Sequence, residues 1–290
     1  MNKANATFTR AFKHHQLPTL LYANRQEYGH VRIDRPMHAH NSLCELLLCY
    51  QGFGTYHVNH MSYPIQKGDL LYTNCGEVHE VVSDTSAEIG TYCFGFTDVH
   101  FPALPVNHLI PLDSPHVRPS GGRFPFLLQI CKQILDNYDS NPCGQLTAQL
   151  LGTSFLMMAT QIPAESQTTH VSQAESELIA QVKEFIDTHY LESLKLEDIA
   201  SVFSCSVSYL CRTFKKETGY SPIQYVIRRR IGMAQTLLIS SDYSATYIAT
   251  LVGYDNTNYF NTLFTKVVGM TPIRYRKKYL ESLYGDRSQL

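Results

Sequence analysis

His38, His40 and Glu45 fall within eight residues of one another in the stretch MHAHNSLCE, and His79 follows in GDLLYTNCGEVHEV. Imidazole nitrogens and a carboxylate oxygen are the donors that borderline divalent cations take. The same groups hydrogen-bond polar small molecules. Alternate residues of a strand share a face, so His38 and His40 would point the same way, with another strand supplying the remaining donor. Two chemistries therefore stay open on the residues alone. One is a metal centre of His38, His40, Glu45 and His79. The other is an organic-ligand pocket in which His and Glu satisfy each other by hydrogen bonding.

The elements that must position these groups read as short strands. Between residues 20 and 110 the runs CELLLCYQG, GTYHVNHMSYPI, DLLYTN, HEVVS and IGTYCFGF are punctuated by Gly, Asn, Asp and Pro, the pattern of a sandwich or barrel. QGFG and QKGD read as turns. After Gly122 the period changes. Apolar residues at 127, 130, 131, 134 and 135, and again through QLTAQLLGTSFLMMATQI, predict a helix pair over 123–162, broken by the Asn-Pro-Cys-Gly stretch at 141–144. This pair either covers the barrel or also offers a face to a second copy. Residues 163–174, PAESQTTHVSQA, are polar enough for a linker. From Glu175 to about Tyr279 the pattern is helical throughout.

The helical block is duplicated. LEDIASVF, a short polar turn and SYLCRTFKKET place Leu196, Ile199, Ala200 and Phe203, then Leu210 and Phe214, on inward faces, as in a helix-turn-helix over 196–218. Residues 244–266 repeat it: Ala249 takes the place of Ala200 and Phe264 that of Phe214. GYSPIQY at 219–225 recurs as GMTPIRY at 269–275, an offset of 50 residues. Between the units, RRRIGMAQTLLIS predicts a long helix that fixes their separation.

With LEDIA, SYLCRTFKKETGYSP, YVIRRRIGMAQTLL, YIATLVGYDNTNYFNTLFTK and GMTPIRYRK in view, residues 175–280 resemble the DNA-binding domain of the AraC/XylS family of bacterial transcription regulators. That resemblance implies two recognition helices entering successive major-groove segments. A recognition helix offers its outward N-terminal residues to base edges, here Ser208, Cys211 and Arg212, then Thr257, Asn258, Asn261 and Thr262. Arginine pairs with guanine and asparagine with adenine. Lys215, Lys216, Arg228, Arg230, Lys266 and Arg276 are expected phosphate contacts, which position without reading sequence. Cys211 and Thr265 depart from residues common in the family at these places.

The N-terminal spacing His38-x-His40-x4-Glu45-x6-Gly52, with Gly68-x5-Asn74-x-Gly76-x2-His79, resembles the two motifs of the cupin barrel. Arg32 stands where the first motif has glycine, and Asn74 where the second has proline. Cupin enzymes use the three histidines and the glutamate for a metal, whereas sensor domains of the resembled regulators keep such histidines without one. The favoured expectation is an effector pocket lined by Arg32, His38, His40, Glu45, Tyr56 and His79, suited to a sugar, with no metal and no cofactor.

The expected fold is thus an α+β multidomain protein: a cupin-like β-barrel and helix pair at 1–162 for effector binding and dimerisation, and an all-α domain at 175–280 with two helix-turn-helix units. Charge agrees with two tasks. Residues 1–195 carry 12 Lys+Arg against 18 Asp+Glu, and residues 196–280 carry 11 against 5, which disposes only the second part toward a polyanion. No apolar run approaches the roughly 18 residues that span a bilayer. The eight cysteines are scattered, and with no export signal the chain reads as a cytoplasmic protein with reduced thiols. The expected partners are double-stranded DNA, a small-molecule effector, a second copy of the chain and, for an activator, RNA polymerase. Two rival readings are a metal-dependent cupin enzyme fused to a DNA-binding domain and a regulator whose barrel only dimerises.

Overall fold

The computed structural model describes residues 17–28, 37–59, 61–83, 88–164 and 173–277. The N-terminal strands are β1 (Thr19–Tyr28), β2 (Cys44–Gln51), β3 (Phe53–Val58), β4 (Met61–Gln66), β5 (Asp69–Thr73), β6 (His79–Ser83), β7 (Ile89–Thr97) and β8 (Val117–Pro119). They form a five-stranded antiparallel sheet, β1-β7-β2-β5-β8, and a three-stranded sheet, β4-β3-β6. The expected barrel thus takes the form of two facing sheets. The crossings between them are where the sequence predicts turns. Gly52 (φ 72°) carries the chain from β2 into β3 and Gly68 (φ 98°) from β4 into β5. A side chain at Gly52 would place its Cβ 2.0 Å from the Glu88 carbonyl oxygen, so only glycine passes there.

β2 shows why its sequence is continuously apolar. Leu46 and Leu48 face the helix pair, together with Phe94 and Phe96 of β7. Leu47 and Cys49 face the second sheet, with Tyr56, Val58, Ile65 and Val81. A strand buried on both faces needs no polar alternation. The side-chain period of two puts Glu45 on the same face as Leu47, between the sheets, which is how a carboxylate comes to be 3% exposed.

The helix pair is α1 (Phe124–Tyr138) and α2 (Pro142–Thr160). The break between them is shorter than its sequence suggests. Asn141 caps α2 by accepting from the Gly144 amide, and Pro142 occupies the first turn, where a missing N–H costs nothing. Leu127, Ile134, Phe155 and Leu156 seal the outer face of the large sheet.

The C-terminal helices are α3 (Gln173–His189), α4 (Leu196–Val202), α5 (Val207–Thr218), α6 (Pro222–Ser240), α7 (Ala245–Leu251) and α8 (Thr257–Val268). Helix α3 begins inside the stretch expected as linker, of which residues 165–172 lie outside the described residues. Two cores match the duplication. Leu210, Phe214 and Tyr225 serve the first unit, and Phe260, Phe264 and Tyr275 the second. Ser206 and Asn256 cap the recognition helices α5 and α8, which end at Gly219 and Gly269 in the left-handed region. The repeat is not uniform: α4 and α7 start 49 residues apart and α5 and α8 start 50 apart, so the second turn holds one extra residue.

The two halves share a boundary. Met37 and Val78, from the sensor side, are buried within the core of the first helix-turn-helix unit.

Candidate effector site and nucleic-acid interface

His38 and His79 face each other across an antiparallel bridge, with His38 N–H donating to the His79 carbonyl at 3.2 Å and the reverse bond at 2.9 Å. This brings the two sequence motifs together. Glu45 Oε1 lies 3.0 Å from His40 Nε2 and Oε2 lies 2.6 Å from His79 Nε2. Tyr22 of β1 donates its hydroxyl to Glu45 Oε1. Burial alone would raise the Glu45 carboxyl, but His40 and His79 outweigh it and hold it well below the usual carboxylate range. His79 Nδ1 sits 3.1 Å from the Glu77 carbonyl oxygen, which requires a proton on Nδ1 and aims Nε2 at the cluster.

One donor atom from each of His38, His40, Glu45 and His79 lies within 4.8 Å of the others. Donors around a zinc-sized cation at bonds of about 2.1 Å are roughly 3–4 Å apart. The set therefore fits a divalent ion after small side-chain adjustments, and the His–Glu hydrogen bonds occupy the lone pairs that such an ion would take.

The space for an effector is not where the sequence suggests. Between the sheets, beside His38, Glu45 and His79, the cavity is ≈ 20 Å³, room for a water and no more. Tyr56 lies below His79, fully buried, its hydroxyl 2.5 Å from Thr73 Oγ1. Arg32 lies outside the described residues. The large cavity, ≈ 1060 Å³, is a cleft between the two halves. His38, His40, Asn41, Ser42 and Asn59 form its sensor wall, and α3 and α6 the opposite wall through Lys183, Asp187 and Arg229. His38 and His40 thus belong to both the donor cluster and the cleft.

Asn74, where the resembled motif has proline, acts as a staple. Its Oδ1 accepts from the Leu109 and Ile110 amides at 2.8 and 3.2 Å, its Nδ2 donates to the Ile110 carbonyl, and its own amide donates to Glu77. Glu77 in turn lies 3.0 Å from His116 Nε2. This holds the loop that carries His79.

On the recognition helices, Ser208, Arg212, Lys215 and Lys216 of α5 are exposed and Cys211 is half-buried. On α8, Asn258, Thr262 and Lys266 are exposed, with Thr257 and Asn261 half-buried. These groups stand on the outward faces that the sequence assigns them.

The arginines expected at phosphates have other engagements. Arg228 Nη2 and Nε lie 2.6 and 3.0 Å from Glu80 Oε2 of β6, and its guanidinium stacks over Tyr220. Arg230 donates to the carbonyls of Tyr190, Gly253 and Glu192 at 2.5, 2.9 and 2.6 Å, tying both units to one helix. Arg276 donates to the Leu238, Ser241 and Tyr243 carbonyls and closes the end of α6. Arg229, not singled out in the sequence, pairs with Asp187 of α3 at 2.6 Å. A helix turns about 100° per residue, so three adjacent arginines meet three different neighbours. Sequence reasoning also missed Tyr22, Glu80 and Lys183, which join the site from other elements and carry no local motif.

A ligand-binding domain of two sheets followed by paired helix-turn-helix units defines a ligand-binding, DNA-binding regulator. Comparisons agree. The model of the AraC-like ligand binding domain matches residues 22–105 and that of a helix-turn-helix domain matches residues 199–278. The chain is 26% identical over 245 residues to the HTH-type transcriptional regulator YdiP of Escherichia coli K12, covering 83% of this chain and 81% of that one. It is 27% identical over 252 residues to the HTH-type transcriptional activator RhaR of Shigella dysenteriae, covering 82% and 86%. Among solved structures, the DNA-binding domain of AdpA in complex with a target DNA is 29% identical, covering 39% of this chain and 97% of that one, with a TM-score of 0.34. The chain belongs to the AraC family of transcription regulators. The two curated relatives, YdiP and RhaR, are named as regulators of transcription, and no helix among the described residues is long and apolar enough to cross a membrane.

Proposed function

We propose that the chain is a ligand-responsive, sequence-specific regulator that works in the cytoplasm as a homodimer and activates transcription by contacting RNA polymerase. The observation that carries this reading is the pair of capped recognition helices, α5 and α8, presenting Arg212 and Asn258 on a basic half of the chain. In this reading residues 175–280 bind DNA, with base contacts from Ser208, Cys211 and Arg212, and from Thr257, Asn258, Asn261 and Thr262. Lys215, Lys216 and Lys266 hold phosphates. Residues 1–162 sense and dimerise. Leu146 and Leu150, one turn apart on α2 and 60% and 49% exposed, supply an apolar stripe for a second copy. The name of the RhaR relative supports activation.

The effector enters the interdomain cleft, where amide, hydroxyl and imidazole groups of Asn41, Ser42, Asn59, His38 and His40 suit a carbohydrate-type molecule. A ligand touching both walls has different affinities for the docked and undocked arrangements, and that difference is all the energy available for signalling. Selection of bound sites from random DNA duplexes by the full-length chain tests the reading. Enrichment of a two-part site with major-groove contacts about one helical turn apart is expected. Recovery of unselected DNA alone would overturn it.

A second reading has its own observation, the four converging donors. His38, His40, Glu45 and His79 would hold a divalent cation, which would polarise an effector oxygen at the cleft wall. Metal content of the purified chain, compared with the His79→Ala variant, separates the two readings.

A further inference from the structure

The cleft contains a buried charge that the fold leaves without a hydrogen bond. Lys183, on α3, is 1% exposed and lines the cleft. Its ammonium lies 5.8 Å from the Tyr225 ring centroid, and no hydrogen bond or ion pair joins it to another side chain among the described residues. Two of the carboxylates around it are held by arginines, although Glu80 keeps one oxygen, Oε1, without a hydrogen bond. Asp187 accepts from Arg229 at 2.6 Å and from the Tyr225 hydroxyl at 3.1 Å. Glu80 accepts from Arg228 at 2.6 Å. Asp187, Glu80 and Glu217 all act on Lys183 electrostatically, in that order of strength. Lys183 is thus balanced in charge by carboxylates that it does not touch, and its ammonium donors make no hydrogen bond to them. Desolvation lowers its pKa to about 8, which still leaves it mainly protonated at neutral pH.

A buried ammonium that makes no hydrogen bond is costly, and its donors are open to a group that enters the cleft. The cleft is large enough for a small molecule, and its opposite wall carries His38 and His40. Glu177 and Glu184 also line it, but both are exposed on α3, where water screens them.

We infer that the interdomain cleft binds a polar small molecule bearing one anionic group, a carboxylate or a phosphate, which pairs with Lys183 while the rest of the molecule meets the histidine wall. This rests on the ligand-responsive reading above and narrows it from a carbohydrate-type effector to an acidic one. An effector so placed spans a sensor loop and the α3–α6 wall, and so acts on the boundary between the halves.

The test uses the full-length chain at about 0.15 M ionic strength, with gluconate, glucose 6-phosphate, inorganic phosphate and neutral glucose as probes. Thermal shift and calorimetric titration are read for wild type, Lys183→Met, Lys183→Gln and the exposed control Lys132→Met. At least one anionic probe is expected to raise Tm and glucose to leave it unchanged. The carboxylate and phosphate arms tell which anion is preferred. Both Lys183 variants should lose at least about tenfold in affinity, the loss of a charge-assisted contact, while Lys132→Met keeps it. Basal stability is measured without probe, so a changed fold is seen separately. No shift with any anion, an equal shift with glucose, or full binding by both Lys183 variants overturns the inference. Sequence-selective DNA binding without any probe belongs to the regulator reading. If it persists while the anion response is absent, only the present inference fails.

Discussion

Arg212 and Arg230 are the same residue type in opposite surroundings. Arg212 is exposed on α5, where a bidentate pair with guanine is within its chemistry. Arg230 is engaged by three backbone carbonyls. Replacing Arg212 with Ala should weaken binding to the selected site by about 1–3 kcal/mol and leave non-specific binding nearly unchanged, measured by gel shift with matched and scrambled duplexes. A uniform loss on both duplexes would make it a phosphate contact. Helical phase and the cap at Ser206 make Arg212 legible in the sequence. Arg230 is not legible, because its partners Tyr190 and Gly253 are distant in the chain and offer backbone, which has no residue signature. His57 gives a second test at this scale. It is 8% exposed and packs against the Tyr220 ring from the other half. Desolvation lowers its pKa from 6.5 to about 4, with Glu80 opposing and Lys183 and Arg228 assisting. A depressed folded pKa means the unfolded chain binds the extra proton first. Stability is therefore full above the unfolded pKa and falls as pH drops from 6.5 toward 4. The loss is about 3 kcal/mol at most. In His57→Phe, urea unfolding should lose that part of its acid dependence; an unchanged slope between pH 6.5 and 4 would refute the assignment.

Strand β6 and helix α6 meet through Glu80 and Arg228, an ion pair whose carboxylate side chain is 0% exposed. Glu80 Oε2 also accepts from the Met37 amide at 3.2 Å, while Oε1 has no hydrogen-bond partner among the described residues. His79 precedes Glu80 and Met37 precedes His38, so the donor cluster and the boundary share two short segments. Removing one member of a buried pair leaves the other charged and desolvated, at about 3–5 kcal/mol. Arg228→Ala should therefore increase hydrogen exchange around residues 37–38 and 222–228 and loosen the boundary. If Arg228 instead holds a phosphate, the main effect is weaker DNA binding with unchanged exchange. The turns show what helix periodicity leaves out. At Gly253 (φ 83°) a Cβ would lie 2.6 Å from the Leu191 carbonyl oxygen, whereas at Gly219 (φ 77°) nothing lies within 4 Å. Gly219→Ala should cost only the left-handed backbone, about 1–2 kcal/mol, and Gly253→Ala clearly more, read from paired Tm values. Equal losses would mean that the Leu191 contact relaxes freely. Both glycines are visible in the sequence as punctuation. Only the fold shows that one of them is also a point of close approach.

Over the whole molecule, the split of charge between residues 1–195 and 196–280 marked a DNA-seeking half, and the 50-residue repeat marked its two units. Both were legible because composition and repetition need no tertiary information. The cleft was not legible. It is made by Asn41 and Asn59 on one side and Lys183 and Arg229 on the other, residues brought together only when the halves dock. Tertiary packing also sorts the basic residues, through the boundary for Arg228 and within the C-terminal half for the other arginines. Arg228, Arg229, Arg230 and Arg276 are engaged by protein groups, and Lys215, Lys216 and Lys266 are exposed on the recognition helices. Each phosphate neutralised releases condensed counterions, so the slope of log K against log salt changes by roughly 0.9 per contact on duplex DNA. In Lys215→Ala/Lys216→Ala/Lys266→Ala the slope should become shallower by about 2–3 units, with the preferred site unchanged, because phosphate contacts position and base contacts specify. Arg276→Ala, by contrast, should lower Tm through the freed end of α6 and leave the salt slope as in wild type. Titrations of the selected duplex between about 50 and 200 mM salt decide this. A triple lysine variant with an unchanged slope would show that DNA approaches the helices from another face, and a shallower slope in Arg276→Ala would return that arginine to the phosphates.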